Sequence, residues 1–114
     1  MPLRATHRDS GPATVVDLSG RIVLGEGSAL LRTTVRALLD EQQNKIVLNL
    51  GDVDYIDSSG IGELVSAYTA VKNRGGDLKL LNLTKKVRDL IQLTKLYTVF
   101  EVYTDEASAL RSFQ

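Results

Sequence analysis

The chain has 114 residues, which suits one domain spanning residues 1–114 around a single core. Charged residues make up 25 % and cancel to a formal net charge of zero, which argues against a nucleic-acid binder and against a polybasic membrane-surface binder. There is no cysteine and His7 is the only histidine, so disulfides, thiolate metal sites, cysteine nucleophiles and a multi-histidine metal centre within one chain are excluded. A Ser-His-Asp triad would have to recruit His7, close to the terminus. No run of about 18 apolar residues exists to span a bilayer, and Met1-Pro2-Leu3-Arg4 lacks an apolar signal segment. The expectation is a soluble cytoplasmic domain.

Leu3 to Arg8 reads as a first strand, closed by the turn-forming Asp9-Ser10-Gly11-Pro12. Thr14 to Leu18 is a second strand ending at Ser19-Gly20, and the short connection predicts an antiparallel hairpin. Arg21 to Gly27 reads as irregular. Ser28 is placed to cap a helix to about Glu41, with Leu30, Leu31, Thr34, Val35, Leu38 and Leu39 on its apolar face. Lys45 to Leu50 is a third, buried strand. A second helix begins around Gly60, carries Ile61, Leu64, Val65, Tyr68 and Val71 at helical spacing, and stops at Asn73-Arg74-Gly75-Gly76. Asp77 to Leu83 is a fourth strand, Thr84 caps a third helix bearing Val87, Leu90, Ile91 and Thr94, and Tyr97 to Tyr103 forms a last strand. Asp105 opens a terminal helix. The runs Ile46-Val47-Leu48-Asn49-Leu50 and Leu78-Lys79-Leu80-Leu81-Asn82-Leu83 are apolar and each leads into a helix, as buried parallel strands do. The order ββαβαβαβα predicts an α/β fold: a mixed, mostly parallel sheet with about four helices packed on it.

The junction Asp57-Ser58-Ser59-Gly60-Ile61-Gly62 places two hydroxyls where a strand ends and a helix starts. Backbone N–H groups there lack intrahelical partners, and the helix end tolerates negative charge. One reading is a serine N-cap followed by a tight turn, with Gly60 and Gly62 relieving crowding between helix and sheet. The other is phosphorylation, which adds roughly −1.5 to −2 charges and three acceptor oxygens beside Asp57. Chemistry alone does not choose between Ser58 and Ser59. No phosphate-loop lysine follows Gly60-x-Gly62, and no G-x-S-x-G elbow exists, so nucleotide hydrolysis and serine-hydrolase chemistry are disfavoured. Gly25-Glu26-Gly27 reads as a flexible connection or a mobile contact loop. Lys85-Lys86 stand at a helix start against the macrodipole, most simply as solvated charges. Asp52, Asp54 and Asp57 lack calcium-loop spacing and read as a solvated acidic turn. No metal or cofactor is expected.

The element order and Asp52-Val53-Asp54-Tyr55-Ile56-Asp57-Ser58-Ser59-Gly60-Ile61-Gly62 together resemble the STAS family, the sulfate-transporter and anti-sigma-factor-antagonist domains. Leu18-Ser19-Gly20, the central strand Ile46 to Leu50, Gly75-Gly76-x-Leu78 and Leu96-Tyr97-x-Val99-Phe100 extend the likeness over nearly the whole chain. In the bacterial anti-sigma-factor antagonists the hydroxyl residue directly after the aspartate is the phosphoacceptor, a position that is Ser58 here. The resemblance implies a module that, unphosphorylated, binds a serine-kinase anti-sigma factor of histidine-kinase-like ATPase type and frees a sigma factor. Phosphorylation of Ser58 releases it, and a serine phosphatase resets it. The chain would then be a substrate and binder rather than an enzyme, with Asp57, Ser58, Ser59, Gly60, Gly25 and Glu26 at the partner surface. The alternative is a non-switching scaffold subunit of a transporter or sensory complex. One departure is Val23, which stands where the family often has aspartate in a Gly-x-hydrophobic-Asp pattern. With Gly25-Glu26-Gly27 it bears on which partner docks.

Overall fold

A computed structural model describes residues 2–114. Alternating apolar residues put two faces on every strand, and the fold follows from how those faces are covered. β1 (Arg4–Asp9) pairs antiparallel with β2 (Thr14–Ile22), and β3 (Lys45–Ile56), β4 (Asp77–Leu81) and β5 (Val102–Tyr103) continue in parallel, giving the sheet order β1-β2-β3-β4-β5. Because the parallel strands add one after another in the same direction, right-handed crossovers must place all three connecting helices on one face. These are α1 (Glu26–Asp40), α2 (Ser58–Asn73) and α3 (Lys85–Leu93). Val16, Leu18, Ile46, Leu48, Leu50, Leu78 and Leu80 meet them in the main core. The intervening residues Val15, Val47 and Leu81 face the other way, where α4 (Glu106–Arg111) closes a smaller core through Ala109 and Leu110. The α/β class, the mixed sheet and the element order agree with expectation. Among the described residues no helix is long and apolar enough to cross a membrane.

The element boundaries differ in four places, each for a local reason. β2 and β3 run on to Ile22 and Ile56, past the expected ends, because irregular pairing around Ser19 to Arg21 lets both strands continue while burying Ile22, Val53 and Ile56. Asp52 and Asp54 therefore lie exposed on a strand and not in an acidic turn. β4 ends at Leu81, because Asn82 turns to a positive φ of 60°. The expected strand from Tyr97 shrinks to β5. Lys95 at φ 60° ends α3's continuation, and Leu96–Thr98 form a short 3-10 turn that drives Phe100 into the core, edge-on to Tyr68 at 5.4 Å. Fourth, α1 begins at Glu26 with Gly25 as its N-cap, so Ser28 is a buried residue inside the first turn and caps nothing.

α4 is fastened to the sheet by charge as well as by apolar contact. The Arg8 guanidinium donates to Asp17 (Nε to Oδ2, 2.8 Å) and to Glu106 (Nη2 to Oε1, 2.6 Å), joining β1, β2 and α4. Lys79 is 4 % exposed, and its ammonium donates to Ser112 Oγ at 2.8 Å and lies 4.6 Å from the Phe113 ring centre. Arg8 holds the carboxyls of both Asp17 and Glu106 below their ordinary range through its hydrogen bonds. Depressed carboxylates stabilise the fold above their unfolded pKa of about 4, and that contribution disappears as pH falls through the lower folded values. Chemical denaturation at a series of pH values should therefore show Arg8→Gln less stable than wild type at neutral pH, with the two curves converging as pH falls through the lowered folded values of Asp17 and Glu106. Curves that stay parallel into acid would remove this cluster from the stability of α4.

Candidate functional site

The site is built at the C-terminal ends of β2 and β3, where the chain leaves the sheet for α1 and α2. Asp57 follows β3 in extended conformation, φ −101°, and is the N-cap of α2. Its Oδ1 accepts from Gly60 N at 2.8 Å, and its Oδ2 accepts from Leu24 N at 3.0 Å. Asp57 N in turn donates to Ile22 O at 3.3 Å. One carboxylate thus satisfies an orphan donor of the helix and ties down the β2–α1 connection. The hydrogen bonds from Gly60 and then Leu24 hold the Asp57 carboxyl below the usual carboxylate range.

The expected serine cap is accordingly corrected: aspartate caps the helix, and both serines are free of that role. Ser58 is the first helical residue and is exposed; Ser59 behind it is half-buried. Gly60 is buried, and a Cβ there would collide with the Ile22 carbonyl oxygen and lie 2.6 Å from Ile56 Cγ1. The packing expected of both glycines belongs to Gly60 alone, because a Cβ on Gly62 would meet open space.

Gly25 and Glu26 also come to this edge, as the N-cap and first residue of α1 and not as a loop. Gly25 takes φ 102°, a region that favours glycine. Gly27 lets the first turn lie against the chain, since a Cβ there would lie 2.8 Å from Arg21 O. Val23 fixes the turn from its carbonyl, which accepts from Ser28 N and Ser28 Oγ at 3.0 Å each. Its half-buried side chain lines a groove with Pro2, Leu3 and Leu30. Lys85 is paired with Asp89 at 2.9 Å on the exposed face of α3.

Sequence reasoning missed the apolar surroundings. Leu24 is 77 % exposed although its N–H is bound to Asp57. Tyr55, two residues before Asp57, shares an open groove with Ile56, Leu90 and Leu93, and Leu93 is 80 % exposed. No local signal marks Tyr55, because strand alternation alone would put it on the face of the buried Val53.

The STAS domain family model matches residues 4–109. The chain belongs to the STAS domain family. It is 33% identical over 87 residues to the anti-sigma-B factor antagonist of Bacillus subtilis (strain 168), a match covering 76% of this chain and 78% of that protein. An anti-sigma factor antagonist from Mycobacterium paratuberculosis superposes with a TM-score of 0.85 at 22% identity, covering 97% of this chain and 93% of the other. The Bacillus cell fate determinant SpoIIAA in its phosphorylated form superposes with a TM-score of 0.75 at 18% identity, covering 97% and 100%. These structural likenesses establish the shared fold.

The two glycines separate helix packing from helix propensity. Gly60→Ala should destabilise the domain by about 1–3 kcal/mol, the usual cost of overpacking. Gly62→Ala should be neutral or stabilising by up to about 1 kcal/mol, since alanine is the better helix former. Urea unfolding midpoints for the pair would decide it; equal effects would mean that the Ile22 carbonyl yields to an added methyl group.

Proposed function

We propose that the chain is a phosphorylation-switched protein-binding module, with Ser58 as the phosphoacceptor. Unphosphorylated, it docks on an anti-sigma factor that is itself a serine kinase and so frees a sigma factor. Phosphorylation ends the contact, and a serine phosphatase restores it. The observation that carries this reading is the exposed Ser58 hydroxyl at the first position of α2, directly after a capping aspartate, in a STAS domain with anti-sigma factor antagonists as relatives.

The geometry supports a switch that acts on the surface. Asp57 already occupies Gly60 N, the donor an N-terminal phosphate would otherwise compete for. A phosphate on Ser58 would therefore project toward solvent, beside a carboxylate held in its ionised form. The added charge of roughly −1.5 to −2 appears where a partner must come into contact. Leu24, whose N–H is bound to Asp57, and Tyr55, two residues before that aspartate, are exposed and offer apolar area for the unmodified form to bury against a partner. The chain supplies the acceptor oxygen; ATP and the groups that activate transfer belong to the kinase. A purely inert scaffold role has no use for the exposed hydroxyl beside its cap.

With a partner kinase and ATP, intact-mass measurement should show one added phosphate, and Ser58→Ala should abolish it. Labelling that persists on Ser59 in that variant would move the acceptor by one residue. By titration calorimetry Ser58→Asp should weaken binding to the kinase at least about tenfold, or about 1.4 kcal/mol, while Ser58→Ala retains wild-type affinity. Both variants should keep the wild-type circular dichroism spectrum. Equal affinities for the Asp and Ala forms would sink the switch.

A further inference from the structure

A second feature of the same sheet edge is not used by the phosphoacceptor site. In open α/β sheets, ligands bind outside the carboxyl ends of parallel strands where neighbouring connections leave to opposite faces. This chain has one such point. β4 is followed by α3 on the main-core face, and β5 by α4 on the other. A cleft of about 530 Å³ opens there, lined by the residues that immediately follow the two strands, Asn82 and Thr104, and by Asn49, Asp52, Arg88 and Tyr103. Its size lies within the range usual for small-molecule sites, about 300–1,000 Å³.

The charges in the cleft are opposite and uncommitted. Among the described residues neither Arg88 nor Asp52 takes part in an ion pair. Arg88 is anchored by one donor, Nη2 to Leu83 O at 3.4 Å, which leaves the rest of its guanidinium fork free for a carboxylate. The amides are held in place. Asn49 Nδ2 donates to Asp17 at 2.8 Å, and Asn49 Oδ1 accepts from Gly51 N at 3.1 Å and from Asn82 Nδ2 at 3.3 Å. That chain fixes the Asn82 amide, whose Oδ1 accepts no hydrogen bond from the described residues, on a backbone turned to φ 60°. Tyr103 offers a half-buried ring as an apolar wall.

We propose that this cleft between the ends of β4 and β5 binds a small zwitterion of the α-amino-acid class, its carboxylate on Arg88 and its ammonium group on Asp52 and the Asn82 amide oxygen. Inorganic phosphate would find one cation and face Asp52; a simple amine would face Arg88. Only a molecule carrying both charges answers both ends.

The test is a calorimetric and amide-NMR titration of the full chain with each protein amino acid up to about 10 mM, a range that covers millimolar dissociation constants. At least one amino acid should bind and shift the amide signals of Asn82, Arg88 and Thr104. Its N-acetyl form and its carboxamide should each bind at least about tenfold more weakly, as should Arg88→Gln and Asp52→Asn toward the parent amino acid. Ser58→Ala should bind it as wild type does, so failure here is separable from failure of the phosphorylation switch. No binding by any amino acid would overturn the proposal. So would equal binding of the blocked forms, equal binding of inorganic phosphate, or undiminished binding by a folded Arg88→Gln variant.

Discussion

The two oxygens of the Asp57 carboxylate organise the functional edge of this domain. One oxygen takes the Gly60 N–H and the other takes the Leu24 N–H. The first bond makes α2 begin at Ser58; the second holds the β2–α1 connection against it. Both rest on a close approach that glycine allows at position 60, where an added Cβ would collide with the Ile22 carbonyl oxygen. The exposure of Ser58 is thus a consequence of a cap that leaves the serine hydroxyl unused. A serine in the capping position would have its oxygen committed to backbone N–H groups and would be a poorer acceptor.

The topology brings this edge into being. Successive parallel strands with right-handed crossovers deliver every strand-to-helix junction to one end of the sheet. The β2–α1, β3–α2 and β4–α3 junctions are neighbours there, although they lie far apart in the chain. Thr84, the cap of α3, shows the coupling: its Oγ1 donates to Val53 O of β3 while accepting from Val87 N. Only the last connection leaves to the other face, and Lys79 and Arg8 make that departure firm by holding the residues around α4.

The elements themselves were readable because their patterns are strong: the apolar faces of α1 and α3, the Gly75-Gly76 stop and the two Leu-rich central strands all stand where the periodicity puts them. The ends were less readable. Ser28 is a good capping residue by type, yet Gly25 caps α1, since the Leu24 bond to Asp57 and the bare Cα of Gly27 let the helix start earlier. Tyr97 to Tyr103 has strand composition, but the left-handed turn at Lys95 and burial of Phe100 spend most of it on a 3-10 turn. At the site, the Asp57-Ser58-Ser59-Gly60 junction could be singled out from local order, whereas the choice of Ser58 over Ser59 rested on the family resemblance. The exposed Leu24, Tyr55 and Leu93 could not, because their exposure depends on which strands and helices neighbour them. The open cleft beside β5 is likewise a property of the crossover pattern and has no motif.

The cap also bears on what kind of switch such a domain can support. A phosphate that replaced a native cap would have to rearrange the first turn of α2 to be satisfied, and its effect would spread through Leu64, Ala67 and Val71 into the core. Here the Gly60 N–H of that turn is already taken by an ionised carboxylate whose bonds do not involve the Ser58 hydroxyl. A phosphate on the exposed Ser58 oxygen would add its charge at the surface, beside the Asp57 carboxylate that holds the Leu24 N–H. Desolvating a phosphate against apolar groups is costly, whereas desolvating a serine hydroxyl costs little. In the proposed switch, selectivity between the two forms would then reside in the partner's contact with this small patch, and the fold beneath it would have no need to move.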